Sequence, residues 1–176
     1  LICCPNLTIK ERLQVLKPDN VGEDYYTQFD IIPPQYRDLI RGGKVLITNW
    51  HFFAPESEQS ENGSSYRVVN KGTETADAFT KKRLGALSEM GQILVFNDEA
   101  HHAYRPKFTD EEIEAVLTSE NQDLYEATIW VQGLDKINKA CGIKACIDLS
   151  ATPFYIKGSG YAEGEPFPWI VSDFGL

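Results

Sequence analysis

The feature that most constrains this chain is an apolar run that stops abruptly in charge. Ile93-Leu94-Val95-Phe96-Asn97 leads straight into Asp98-Glu99-Ala100-His101-His102. A second run, residues 144–149, stops in the same way in Ser150-Ala151-Thr152-Pro153. Short apolar runs rich in β-branched and aromatic residues read as buried strands. Two more follow the same rule: Leu1-Ile2-Cys3-Cys4-Pro5, and residues 44–49 with Val45-Leu46-Ile47 at their centre and Trp50-His51-Phe52-Phe53 beyond.

Helix signals lie between these runs. Asn6 or Thr8 can cap a helix through Leu16 that puts Ile9, Leu13 and Leu16 on one face. Asp19-Asn20 and Gly22 mark turns. Pro33-Pro34 opens a short helix over 35–41, closed by Gly42-Gly43. Further helices are expected at 75–89, after the capping box Thr109-Asp110-Glu111-Glu112 through about Thr118, and over 125–140. Residues 54–75, rich in Glu, Ser, Asn and Gly, cannot bury enough apolar surface to offset ordering, and read as a mobile surface insertion. Residues 157–176 read as a C-terminal tail.

Strands that alternate with helices give an α/β fold, a mostly parallel sheet with helices on both faces. Ligands of such sheets bind beyond the carboxyl ends of the strands. Pro5-Asn6, Thr48-Asn49, Asp98-Glu99 and Ser150–Thr152 all fall there.

The chain has 176 residues, 42% hydrophobic and 24% charged, the make-up of an ordinary globular domain with a real core. No stretch approaches the length of a membrane span, and no signal peptide opens the chain. Leu1 stands inside an apolar run and Met90 is the only methionine, so the chain reads as a piece of a longer protein. A net charge of −9 argues against a free-standing, non-specific nucleic-acid binder. Lys81-Lys82-Arg83 is its compact basic cluster and reads as a solvated helix face. Cys3, Cys4, Cys141 and Cys146 lack metal-site spacing and read as buried free thiols, which suits a reducing cytoplasm. Asn6-Leu7-Thr8 and Asn62-Gly63-Ser64 match the glycosylation pattern by chance.

At a strand tip Asp98 can contact Mg²⁺ directly or through its waters. Glu99 points to another side and can polarise an attacking water. His101, just past the strand, can sense a γ-phosphate. Asn6, Thr8 and Lys10 can approach a nucleic-acid phosphate at a helix start, although capping accounts equally for Asn6 and Thr8. Thr48 and Asn49 are divided between strand termination and phosphate contact, and Trp50 between core and a stacking platform. His51, His101 and His102 with Asp98 offer a metal site, without the His-Glu-x-x-His spacing. Asp173-Phe174-Gly175 copies a kinase motif with no catalytic loop before it, and Gly158-Ser159-Gly160 lacks the third glycine of a dinucleotide turn.

Asp98-Glu99-Ala100-His101 resembles the DEAH box of superfamily 2 helicases, and Ser150-Ala151-Thr152 resembles their third motif, which couples nucleotide state to nucleic-acid binding. The segment from Cys4 to Leu13 and Val45-Leu46-Ile47-Thr48-Asn49-Trp50-His51 are similar to segments that touch the nucleic-acid backbone. The nearest likeness is to the helicase part of the Res subunit of type III restriction enzymes, with Pro168-Trp169 and Asp173-Phe174-Gly175-Leu176 similar to its continuation. The resemblance implies a RecA-like first motor domain over 1–176, with Glu99, Asp98 and His101 at the hydrolytic centre and Asp98 holding Mg²⁺ with ATP. It implies that Ser150 and Thr152 couple, and that Pro5, Asn6, Thr8, Lys10, Thr48 and Asn49 contact DNA. It further implies a modification methyltransferase subunit as partner, no membrane, and the cytoplasm as location.

The departures are specific. No Gly-x-x-x-x-Gly-Lys-Ser/Thr run occurs; in the family it precedes the strand that opens this chain, so the sheet is expected to lack its phosphate-loop strand. The tail would lead towards a missing second domain. The isolated piece should bind no ATP tightly, and residues 144–149 should form an exposed sheet edge. Two other readings are a non-catalytic interaction domain that keeps the fold, and a small metal-dependent hydrolase.

Overall fold

The computed structural model describes residues 1–20, 22, 24–54, 74–107, 109, 122–155 and 159–172. The expected insertion, apart from its ends, the helix after Thr109, and the motifs at Gly158 and 173–176 fall outside them.

Four parallel strands form one sheet in the order β2-β1-β3-β4: β1 (Ile2–Cys4), β2 (Ile47–Asn49), β3 (Ile93–Asp98) and β4 (Ile143–Leu149). Cys3 stands opposite Thr48 on one side and Asn97 on the other; Asp98 stands opposite Leu149. All four strands run the same way, so their carboxyl ends share one rim. The α/β reading of the sequence holds.

The helices form where caps and apolar positions coincide. Asn6 Oδ1 accepts the N–H of Ile9 at 2.9 Å and opens α1 (Leu7–Arg12), which tightens into a 3₁₀ turn over Leu13–Leu16. Asp24 caps a single turn, α2 (Tyr25–Gln28), that was not expected from the sequence. A 3₁₀ turn at Pro34–Tyr36 leads into α3 (Arg37–Arg41), stopped at Gly42. Thr75 caps α4 (Ala76–Leu84); Gly85, at φ 53°, breaks the expected longer helix, and a 3₁₀ stretch continues to Glu89. The longest helix, α5 (Gln122–Cys141), crosses the sheet.

α4 and α5 pack together and cover one face of the sheet. Trp130, Ile137, Phe79, Val95 and Cys3 are almost wholly buried there, with Trp50 and Phe53 from the turn after β2. Arg83 belongs to this layer: it donates to Ala54 O at 2.8 Å and lies over the Phe52 and Phe79 rings. One third of the basic cluster is thus a structural clamp, not a solvated charge.

The other face departs from expectation. Leu94, Ile147 and Leu149 point away from α5 and remain 43%, 40% and 51% exposed. Among the described residues, no helix covers this face of β3 and β4. An apolar run specifies a strand but does not encode its cover. Among the described residues β4 pairs only with β3 and forms an edge of the sheet. All four cysteines are free; Cys3 and Cys4 are buried, whereas Cys141 is half-buried and Cys146 sits on the exposed edge strand. No helix among the described residues is long and apolar enough to cross a membrane.

Candidate functional site at the strand tips

The acid pair sits where β3 ends. Asp98 is half-buried at the last position of the strand, beside the tip of β1. Burial, and then the Asp98 carboxylate, push the Cys4 thiol up to about 11. Glu99 leaves the ladder by adopting the left-handed conformation, φ 52° and ψ 48°. Such backbone costs a non-glycine residue on the order of 1–3 kcal/mol and concentrates at functional sites. The twist turns the Glu99 side chain away from the direction strand alternation would give it. Buried Ala100 then anchors a 3₁₀ turn over Ala100–His102.

His101 joins the two strand tips. Its Nδ1 lies 3.0 Å from Ser150 Oγ, just past β4, and 3.4 Å from Glu99 Oε2. Ser150 Oγ also accepts the N–H of Thr152 at 3.0 Å, which leaves the hydroxyl proton for His101 Nδ1. With Nδ1 accepting from Ser150, the Glu99 carboxylate stands beside the ring as a charged neighbour and not as a hydrogen-bond partner; acid, imidazole and hydroxyl thus cluster across the tips of β3 and β4. Thr152 takes part through its backbone N–H; its side chain is exposed.

The expected nucleic-acid contacts divide. Asn6 and Thr8 are exposed and Pro5 and Lys10 half-buried at the β1 tip, with the Asn6 carbonyl oxygen used as a cap. Thr48 and Asn49 are only 1% and 5% exposed, so their side chains are closed to a phosphate. This corrects the reading of the β2 tip: Thr48 Oγ1 bonds to Asn49 O, Thr48 O accepts the Cys4 thiol, and Asn49 Nδ2 reaches His51 Nδ1 at 3.1 Å. Trp50 is core, not platform. The exposed group at this tip is His51.

Sequence reasoning missed a buried polar hub directly behind the acids. Asn97 Oδ1 accepts Trp130 Nε1–H at 3.1 Å, and Asn97 Nδ2 donates to Asp148 Oδ1 at 2.8 Å and to Cys146 Sγ at 3.2 Å. The Cys146 thiol turns inward from the edge, where burial and Asp148 push it up to about 12. The available signal was parity: Asn97 occupies a helix-facing position of β3, alternating with Val95, where a polar side chain needs a partner.

A second buried pair lies alongside. His102 Nδ1 and Glu126 Oε1 of α5 face each other at 4.0 Å, and neither atom has a hydrogen-bond partner. Burial, with Asp123 adding, raises the Glu126 carboxyl to about 7, and burial lowers His102.

Among the described residues no three His, Cys, Asp or Glu side chains converge as a metal cage. The single strand-tip carboxylate of Asp98 suits Mg²⁺ arriving with phosphate oxygens and water, its usual manner of binding, and does not suit a resident zinc centre. Comparison with known families, curated proteins and solved structures finds no match.

Proposed function

We propose that this chain is part of the first, RecA-like motor domain of an ATP-dependent DNA helicase or translocase of the DEAH type, similar to the Res subunit of type III restriction enzymes. The observation that carries this reading is the junction of neighbouring tips: Asp98 and Glu99 end β3, Ser150 follows β4, and His101 is bonded to Ser150 with the Glu99 carboxylate 3.4 Å from the same nitrogen. The strand order supports it too, since among the described residues no strand pairs with the far side of β4, where related folds hold the phosphate-loop strand.

The residues divide the work. Asp98 would hold Mg²⁺, which neutralises charge on the triphosphate. Glu99 holds and polarises the attacking water. His101 transmits a change at Glu99 to Ser150, and so to the turn that leads on from β4. Asn6, Thr8 and Lys10 face the DNA backbone. A methyltransferase partner and a cytoplasmic setting belong to the same proposal. No phosphate loop is present in these 176 residues, so turnover requires the preceding segment and a second domain.

The test restores both in a longer chain and measures DNA-stimulated ATP hydrolysis. Glu99→Gln should abolish turnover, by a factor of about 10² or more, while nucleotide binding persists. Undiminished hydrolysis by Glu99→Gln would remove the role given to that residue. Metal-dependent hydrolysis by the 176-residue chain without ATP would favour a small hydrolase instead.

A further inference from the structure

We propose that His51 presents a fixed, neutral N–H donor to the phosphodiester backbone of a nucleic acid, and that it takes at the β2 tip the place which buried Thr48 and Asn49 cannot. The inference rests on the DNA-contact reading above. Asn49 Nδ2 is an amide nitrogen and can only donate, so His51 Nδ1, 3.1 Å away, accepts. The ring proton must then sit on Nε2. The imidazole lies flat on Trp50, with ring centroids 3.7 Å apart and planes 22° from parallel. Trp50 is itself held in the core and meets Tyr125 of α5 edge-on. Tautomer and ring plane are thus both set by buried neighbours, while the residue stays exposed. Burial lowers the basicity of His51, so the donor is uncharged at neutral pH.

A ligand that fits a preset N–H donor is an anionic oxygen. Lys10 gives the patch its charge: it acts electrostatically on Cys4, whose thiol donates to Thr48 O, and Cys4 stands opposite Asn49 in the sheet. A cation near the β1 tip and a neutral donor at the tip of the neighbouring β2 give two points of attachment, which suits a chain of phosphates.

The two donors differ in a measurable way. A cation releases condensed counterions when it meets a phosphate; a neutral N–H does not. Binding of the 176-residue chain to a single-stranded oligothymidylate is measured by NMR titration across a salt series. His51→Ala, at an exposed position, should weaken binding roughly five- to tenfold at every salt concentration and leave the slope of log K against log salt unchanged. Lys10→Ala should reduce that slope by about 0.7. Long-range ¹H–¹⁵N spectra should find the His51 proton on Nε2. The inference is overturned alone if the wild type binds and His51→Ala binds equally well, if His51→Ala changes the slope, or if the proton sits on Nδ1. Inorganic phosphate that shifts His51 as strongly as the same concentration of oligonucleotide phosphate overturns the nucleic-acid assignment. A wild type that binds no oligonucleotide at low salt overturns the DNA-contact reading with it.

Discussion

The Glu126–His102 pair shows how a single buried side chain sets a pH response. Glu126 and His102 face Glu99, His101 and Tyr104 from the turn after β3, Asp123 from α5 and Cys3 from β1. Below about pH 4.5 the folded and unfolded chains both hold the Glu126 proton. Between there and about 7 only the unfolded chain gives it up, so the contribution of Glu126 to stability is lost as pH rises through that window. His102 acts in reverse: its folded pKa is lowered, so its contribution is lost as pH falls below its ordinary value. Glu126→Gln should leave only the second trend. The variant should match the wild type near pH 4.5 and exceed it at pH 8 by on the order of 2–3 kcal/mol, read from denaturant titrations at both values; an equal gap at both would refute the assignment. Asn97 makes a different prediction. Asn97→Leu strands Trp130 Nε1–H in the core and removes the amide that meets Asp148 on the exposed edge strand, and should cost about 1–3 kcal/mol at any pH, measured by urea unfolding. The acids were legible in the sequence because they end an apolar run. Neither partner pair was, because the contacts join residues far apart in the chain, and only strand parity hinted at Asn97.

At the scale of elements, the sequence was read best where length and caps agreed. The helix expected over 125–140 became α5 with a few residues added at its start. The start expected at 75 holds, with Thr75 as the cap of α4, but Gly85 ends the helix before the expected 89. A single turn such as α2 is too short to show a period, so only its Asp24 cap could have announced it. β2 keeps only the last three residues of the run at 44–49, and its tip, Thr48 and Asn49, is buried where a solvent-facing tip was expected. The packing of the turn after β2 depends on one glycine. Gly133 lets α5 close on the turn after β2: a Cβ there would stand 2.4 Å from Phe53 Cγ and 2.6 Å from its Cβ. Propensity alone favours alanine in a helix by about 1 kcal/mol, whereas overpacking costs about 1–3 kcal/mol. Gly133→Ala should therefore destabilise the chain, seen as a lower urea midpoint with an unchanged slope. A raised midpoint would mean that Phe53 has room to move, and that the seat of Trp50 and His51 is softer than described.

For the whole molecule, alternation of strands and helices was enough to anticipate a parallel sheet with its polar groups on one rim, since a parallel crossover needs a helix between strands. It was not enough to anticipate coverage, because an apolar residue on either face satisfies the same pattern. The consequence falls on β4. Among the described residues its outer backbone has no strand partner, Ile147 and Leu149 lie open with Leu94 on one face, and a groove of mixed character runs between α5 and β4, with Val131, Leu134 and Ile143 beside Asn138 and the Arg105–Asp135 ion pair. Unpaired N–H and C=O groups flanked by apolar side chains are a template for another strand. The 176-residue chain should accordingly self-associate as its concentration rises. Ile147→Lys should suppress that association while changing the unfolding free energy by no more than about 0.5 kcal/mol, because the side chain it replaces is a surface one. Static light scattering and sedimentation across a concentration series separate the two effects. If the open side of β4 is the place of a phosphate-loop strand, a longer chain that includes such a strand should also stay monomeric without the lysine. Association that persists in the longer chain but yields to Ile147→Lys would put the sticky surface on the uncovered face, not on the backbone edge, and would remove the edge as an argument for a missing strand.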